Sequence, residues 1–184
     1  MATLEQFCRK NSACDAGVAW LDGKTPAVAY ALCQKPCWFL WVAEKLDALG
    51  EKVFDIGLEA ADFVLRTYSA EAFEQAGFTT EAAYLRSLPQ ITTRREAENA
   101  AWQATLAMRK AYATSAVFNA KAMWWGTEAG WAGDRASVYV SKAYNVGGSE
   151  ATNKIMTICR KHITMDLFLE ACRNAGIDTN EGEF

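Results

Sequence analysis

The chain has 184 residues, of which 51% are hydrophobic, with seven tryptophans, one histidine and a net charge of −3. This length suits one domain with a sizeable core. The charge is not gathered into a basic surface of the kind that nucleic-acid binding needs. No apolar run reaches the roughly 20 residues of a membrane span, and the N-terminus lacks a signal-peptide pattern. We therefore expect a cytoplasmic protein that binds neither nucleic acid nor membrane.

Capping signals predict four short helices in the first 50 residues. Thr3 and Gln6 match a capping box, and Ser12 predicts the start of the second helix. A threonine followed by Pro26 predicts the third, because proline is favoured at the first helical position. A Lys-Pro pair then restarts the chain in a fourth helix, which is predicted to run to Gly50, a typical C-terminal glycine.

An amphipathic helix is predicted over 51–68. Its apolar face would contain Val53, Ile56, Ala60, Phe63 and Val64. Ser69 and Thr80 predict the starts of two shorter helices that end before Pro89.

The longest predicted helix covers about 93–125 and begins at Thr92 or Thr93, with no glycine or proline before Gly126. One seam at a spacing of seven contains Ala97, Ala104, Ala111, Phe118 and Trp125. A second apolar stripe contains Trp102, Leu106, Ala113, Val117, Ala120 and Trp124. We expect this Ala- and aromatic-rich helix to be central and to contact other helices on at least two sides. Its small residues also make a homo-oligomer plausible.

The remaining chain continues this helical pattern. The segment 127–146 is predicted to be helical despite some strand character at 138–140, and a further helix follows Ser149. Thr164 is predicted to cap the last helix, and Gly176 to end it. Strand signals are almost absent. The predicted fold is all-α, a single domain over 1–176 of about eight helices, with a flexible acidic tail over 177–184.

Four of the six cysteines lie near the N-terminus. They are Cys8, Cys14, Cys33 and Cys37. Four thiolates can bind zinc, but the spacings here, with five and three intervening residues, are not those of a typical zinc site. We favour reduced thiols packed as small apolar residues, and predict no metal and no cofactor.

No strong catalytic motif occurs. The single histidine, His162, lies near a predicted helix C-terminus, where a charged imidazole interacts favourably with the helix dipole. The glycines at 147–148 before Ser149 are explained by a turn and a cap, although anion binding is an alternative. Carboxylate pairs such as Glu59 and Asp62 are interpreted as solvated helix faces. We therefore predict no catalytic residues and favour a protein that is not an enzyme.

Two groups of tryptophans are candidate binding sites. Trp20, Trp38 and Trp41, with Tyr30, form the first group, and Trp124, Trp125 and Trp131 form the second. Large aromatic residues are most often core anchors. The alternative is an aromatic groove for a partner or a planar ligand, with charge from Arg135 or Lys142. The residues predicted to bind are Trp124, Trp125, Trp131 and Arg135.

The first third of the chain resembles a loosely defined family. The resemblance rests on Cys14, Trp20, Pro26, Cys33, Trp38 and Trp41. These are small helical proteins of phage and bacterial genomes that are labelled immunity-protein-like. The Ala-rich stretch 94–125 and the end of the chain at 153–163 are similar to later parts of the same family. The resemblance implies a helical fold and a role in toxin neutralisation or phage–host conflict, and it assigns no catalytic residues.

The leading hypothesis is a non-enzymatic factor that acts by occupying a partner protein, as an immunity or phage counter-defence inhibitor would. The alternative is a protein that binds or sequesters a small, nucleotide-like molecule near Trp131 and Arg135. An enzyme of a type without a recognisable motif is a third hypothesis.

Overall fold

The structure, a computed structural model, describes residues 1–93, 95–97, 99–100, 102–103, 106, 149–150 and 152–179. Among these residues there is no strand, and the only β-pairing is an isolated bridge between Ala2 and Ile177. The prediction of an all-α fold is confirmed. Among the helices of these residues, none has the length and hydropathy needed to cross a membrane.

The chain begins with four short helices. They are α1 (Leu4–Lys10), α2 (Asp15–Leu21), α3 (Pro26–Leu32) and α4 (Pro36–Lys45). The predicted capping box is confirmed, since the Gln6 N–H donates to Thr3 Oγ1 at 3.1 Å and the Thr3 N–H donates to Gln6 Oε1 at 3.0 Å. Thr25 caps α3 by accepting from the Val28 N–H at 3.3 Å. These bonds satisfy helix-terminal N–H groups that would otherwise have no partner in the helix.

Two predicted helix boundaries in this region are wrong. Ser12 has a positive φ of 64° in the turn before α2 and does not cap that helix, which begins after Cys14. The fourth helix ends at Lys45 rather than at Gly50. A 3-10 helix (Asp47–Leu49) follows, and Gly50 then begins the next helix. Leu46 and Leu49 are fully buried in the core at this turn. Tertiary packing therefore overrides the helix-ending signal of Gly50.

Helix α5 (Gly50–Val64) continues through a π-helical turn (Leu65–Ser69) into α6 (Ala70–Gln75), and α7 (Thr79–Ser87) follows a short turn. The predicted helix start at Ser69 is wrong, because the chain stays helical through that position. Thr80 lies within the first turn of α7 and does not precede it. The apolar face of α5 is confirmed except at Phe63, which is half-buried.

Asp62 and Arg66 hold the segment after α7 against α5. The Asp62 carboxylate accepts from Arg66 Nε at 2.9 Å and from the Ile91 N–H at 3.0 Å. The Arg66 guanidinium also donates to the carbonyls of Arg86 at 2.8 Å and Pro89 at 2.6 Å. The interpretation of Asp62 as part of a solvated face is therefore wrong: its side chain pairs a backbone N–H in a turn that is distant in sequence.

Helix α8 begins after Thr93 and is helical at the described positions from 95 to 106. Thr93 caps it as predicted, since the Glu96 N–H donates to Thr93 Oγ1 at 3.2 Å. Ala97, from the predicted small-residue seam, is buried. Trp102 and Leu106 are 51% and 42% exposed, so the second apolar stripe is not packed at these two positions. They lie on the side of the helix opposite to Ala97, which faces the core.

The rest of the predicted central helix lies outside the described residues. So do the predicted helix over 127–146, and the glycines at 147–148. The packing of other helices around a long central helix therefore stays a prediction.

The last two helices are α9 (149–150 and 152–162) and α10 (Met165–Asn174). Thr164 caps α10 as predicted, accepting from the Leu167 N–H at 3.4 Å, and Gly176, with φ 74°, follows its end. The packed unit extends past Gly176, because Ile177 is fully buried and the Asp178 N–H donates to the Ala2 carbonyl at 2.8 Å. The predicted tail thus begins too early. Its last residues, 180–184, lie outside the described part.

Helix α10 packs against α3 and against the 3-10 helix. The Tyr30 hydroxyl donates to the Ile163 carbonyl at 2.8 Å, which links α3 to the turn between α9 and α10. The N-terminal helices and the end of the chain therefore share one core, and that core forms one side of the candidate site.

Candidate functional site

The four residues predicted to bind a ligand or partner, Trp124, Trp125, Trp131 and Arg135, lie outside the described residues, as does Lys142. Their role stays a prediction. The other tryptophan group is fully described.

An apolar pocket of about 400 Å³ lies between helices α1 to α4, with one residue from α10. Its lining includes Trp20, Tyr30, Trp38, Trp41 and Phe168. The structure thus brings together all four aromatic residues of the first predicted group. Tyr30 is buried, as expected of a core anchor, whereas the three tryptophans are half-buried around an open cavity. These tryptophans therefore line an open cavity and do not fill the core, while their role in binding stays a prediction.

Three packed aromatic rings form the buried wall of the pocket. The Tyr30 ring centroid is 5.5 Å from those of Phe39 and Phe168, and the latter two are 6.0 Å apart and nearly parallel. These separations are those of favourable aromatic pairs. The Tyr30 hydroxyl is held by the Ile163 carbonyl, and burial raises the pKa of this phenol. The wall is therefore preformed, and its one polar group, the Tyr30 hydroxyl, already has a hydrogen-bond partner.

The more exposed wall of the pocket contains Gly17, Trp20 and Trp38. The indoles of Trp20 and Trp38 are 5.9 Å apart and inclined at 49°. A Cβ on Gly17 would lie 3.3 Å from Cys14 Sγ and 3.7 Å from Trp38 Cε2. The contact with the indole would be an ordinary van der Waals contact, so the close neighbour of Gly17 is the Cys14 thiol and not Trp38.

Each tryptophan of the pocket has a lysine ammonium near its ring. The distances from Nζ to the ring centroid are 5.1 Å for Lys24 and Trp20, 3.9 Å for Lys35 and Trp38, and 6.0 Å for Lys45 and Trp41. These are within the range of cation–π attraction. Sequence analysis missed the lysines, although a signal was present. Each lysine is three or four residues from its tryptophan, the spacing at which helical side chains meet.

The four N-terminal cysteines all line this same pocket. All four are free thiols, and no group of three or more metal-ligating side chains is assembled in the described part of the chain. Burial raises the pKa of the thiols of Cys8, Cys33 and Cys37, to about 11 for Cys8. A thiol that stays protonated at neutral pH is a poor nucleophile and metal ligand. These three side chains therefore act as apolar lining, as the sequence predicted, whereas Cys14 is exposed and the prediction that its side chain is packed is wrong.

The free energy of unfolding should fall as the pH rises above 9, because the pKa of the buried Cys8 thiol is raised in the fold. Its thiol has a pKa of about 11 in the fold against an ordinary 9.0. The unfolded chain loses the proton first, so the stabilising contribution is complete below pH 9 and is lost between pH 9 and 11. The loss is at most about 1.4 kcal/mol per pH unit for this group.

Urea unfolding of the wild type and of Cys8→Ala at pH 7, 9 and 10.5 measures this effect. The difference in unfolding free energy between the two proteins should stay constant to pH 9 and then shrink. A difference that is unchanged at pH 10.5 would show that the Cys8 thiol is not buried.

A second polar contact joins α5 to the end of α9. Glu59 Oε2 lies 2.7 Å from His162 Nε2 and 2.8 Å from Lys161 Nζ. Burial by itself would raise the pKa of the Glu59 carboxyl, but hydrogen bonds from Lys161 and His162 lower it overall. The interpretation of Glu59 as a solvated face is wrong. His162 does lie at a helix C-terminus, and it also has a carboxylate partner that is 103 residues away in sequence.

No family model, curated protein or solved structure matches this chain. The functional argument therefore rests on the pocket.

Proposed function

We propose that this protein binds a small, largely apolar molecule in the pocket between α1 and α4. The observation that supports this function best is the convergence of three half-buried tryptophans on one open cavity of about 400 Å³. Ligand pockets are typically concave, mostly apolar and roughly 300–1,000 Å³ in volume.

The rigidity of the buried wall supports the proposal. The rings of Tyr30, Phe39 and Phe168 pack against one another, and the Tyr30 hydroxyl is anchored at 2.8 Å. A ligand that enters a preformed wall needs to order few side chains, which reduces the entropy lost on binding.

The thiols of the lining favour binding over thiol chemistry. Because burial raises the pKa of Cys8, Cys33 and Cys37, these side chains present neutral, polarisable surface to a ligand. Free thiols are also typical of a reducing compartment, which agrees with the expected cytoplasmic location.

The site proposed for a small molecule differs from the one that the sequence predicted. The class of function is the alternative hypothesis of the sequence analysis, but the residues are those of the first tryptophan group.

A protein partner is a second candidate for the same pocket. Five of the six residues on which the family resemblance rests line it, namely Cys14, Trp20, Cys33, Trp38 and Trp41. An immunity or counter-defence factor would use the pocket by accepting an apolar side chain of its partner. Large apolar anchors that fill pockets contribute most of the binding energy in many protein interfaces. A 400 Å³ cavity is filled more completely by a small molecule, which is why we favour that function.

The neutral dye N-phenyl-1-naphthylamine, whose fluorescence rises in apolar surroundings, tests the proposal. The wild type should bind it saturably. Trp38→Ala should weaken binding about tenfold, because losing one indole surface costs on the order of 1.4 kcal/mol. Fluorescence titration measures both affinities.

Trp102→Ala is the matched control, since Trp102 lies on α8 and is half exposed outside the pocket. It should leave the affinity unchanged, and circular dichroism should show that both variants are folded. Absence of saturable binding, or equal effects of the two substitutions, would refute the proposed site.

A further inference from the structure

Each tryptophan of the pocket has one positive charge beside its ring. Lys24, Lys35 and Lys45 each hold an ammonium within 6.0 Å of the centroid of a lining indole. The three lysines come from the turn after α2, the residue before α4 and the last residue of α4. The cations therefore flank or end the two helices that provide the tryptophans.

The placement of these charges matters more than their number. Residues 1–46 contain five basic and four acidic residues, so the region is almost neutral. Arg9 is used in an ion pair with Glu5 at 2.8 Å. The three lysines, in contrast, lie against rings that line the cavity.

Two of the pocket thiols, Cys33 and Cys37, also have a cation nearby. Burial is the main influence and raises the pKa of Cys37 and Cys33, while the positive charge of Lys35 lowers that of Cys37 and the charge of Arg160 lowers that of Cys33. Lys35 and Arg160 are the basic residues that act on these two thiols, while the neighbouring thiols of Cys14 and Cys37 act in the opposite direction.

We propose that the pocket takes an amphipathic anion, with an aromatic or other apolar body between the indoles and one acidic group at the mouth beside Lys35. This inference rests on the proposed function and adds a charge to the ligand. The acidic group can be a carboxylate, sulfonate or phosphate, since an ammonium recognises each of them as a point charge. The indoles exclude water on one side of the ammonium, so the attraction exceeds that of two fully solvated charges.

Lys35 is the central residue of the proposal. Its Nζ is the nearest of the three to an indole, at 3.9 Å from the Trp38 centroid. The side chain is long and exposed, so an anion can approach the ammonium from its solvent side while the indole covers the other side.

Two dyes with one skeleton test the charge. The compound 8-anilinonaphthalene-1-sulfonate carries a sulfonate on the framework of N-phenyl-1-naphthylamine. At low salt the folded wild type should bind the anion at least about fivefold more tightly than the neutral dye, and the difference should narrow in high salt because screening weakens exposed charge pairs. Lys35→Gln should lower the affinity for the anionic dye about three- to tenfold and the affinity for the neutral dye less than twofold.

Lys52→Gln is the matched control. Lys52 is exposed on α5, which contributes no residue to the pocket. The Lys52→Gln substitution removes the same net charge as Lys35→Gln and should leave the affinities for both dyes unchanged. Equal loss of anion affinity in the two lysine variants would reduce the effect to net charge and overturn the proposal.

The outcomes separate this inference from the proposed function. Binding of the neutral dye with no preference for the anion would overturn the charge inference and leave the apolar pocket standing. Failure of both dyes to bind would refute the pocket itself. Anion binding that is unaffected by Trp38→Ala would place the dye elsewhere and would also overturn the inference.

Competition with naphthalene ligands distinguishes the acidic groups. Both 2-naphthoate and 2-naphthyl phosphate should displace the anionic dye at lower concentration than 2-naphthol does, and the better competitor identifies the preferred group. Equal potency of all three compounds would contradict a role for charge.

Discussion

Replacing Phe168 with alanine is expected to lower the free energy of unfolding by about 3–5 kcal/mol, the usual loss for a large buried aromatic residue. Phe168 is 3% exposed, and its ring centroid lies 5.5 Å from Tyr30 and 6.0 Å from Phe39. It is the residue through which α10 contacts the rings of α3 and α4. Its removal leaves a cavity and removes part of the buried pocket wall.

Chemical denaturation followed by circular dichroism measures this loss. Phe54→Ala, at a half-buried position on α5, is a matched control and should cost less. Phe168→Leu should recover most of the stability, since it restores much of the volume. A loss for Phe168→Ala below about 1 kcal/mol would be incompatible with the packing described.

Replacing Arg160 with alanine is expected to cost about 2–4 kcal/mol. The guanidinium donates to three carbonyls at the end of α3, at 3.2 Å to Tyr30, 3.2 Å to Ala31 and 2.8 Å to Cys33. It also lies 5.8 Å from the Tyr30 ring. The last carbonyls of a helix have no partner within the helix, and Arg160 supplies one from a part of the chain about 130 residues away.

The same denaturation experiment with Arg9→Ala provides the control. Arg9 also makes an ion pair, but its side chain is 68% exposed, so its removal should cost only about 0–1 kcal/mol. Arg160→Lys should give an intermediate loss, because one ammonium cannot reproduce the planar arrangement of donors. If Arg160→Ala and Arg9→Ala lose the same stability, Arg160 does not fasten α9 to α3.

Local signals account for the features that were predicted correctly. Thr3, Thr25, Thr93 and Thr164 each cap a helix, as expected, because a capping bond joins residues three apart and needs no tertiary contact. The spacing of apolar residues on α5 likewise identified its buried face. The lysine–tryptophan pairs follow from the same helical spacing, although their significance depends on the pocket.

Long-range contacts account for most of the features that were missed. Glu59 and Asp62 resemble solvated carboxylates in sequence, because His162 and the Ile91 N–H, to which they bond, lie 103 and 29 residues away. Gly50 carries a helix-ending signal, but burial of Leu46 and Leu49 breaks the preceding helix first.

The sequence by itself determined that the chain is all-α, where most helices start, and that Cys8, Cys33 and Cys37 suit an apolar setting. These properties follow from hydrogen bonds and side-chain periodicity within one or two turns. Only the tertiary structure decided that Trp20, Trp38 and Trp41 surround a cavity rather than fill the core. Half-burial of an indole depends on how closely neighbouring helices approach, and here Trp20 of α2 and Trp38 of α4 lie 5.9 Å apart on the open side of the pocket. No sequence pattern within one or two helical turns predicts how far apart two helices lie.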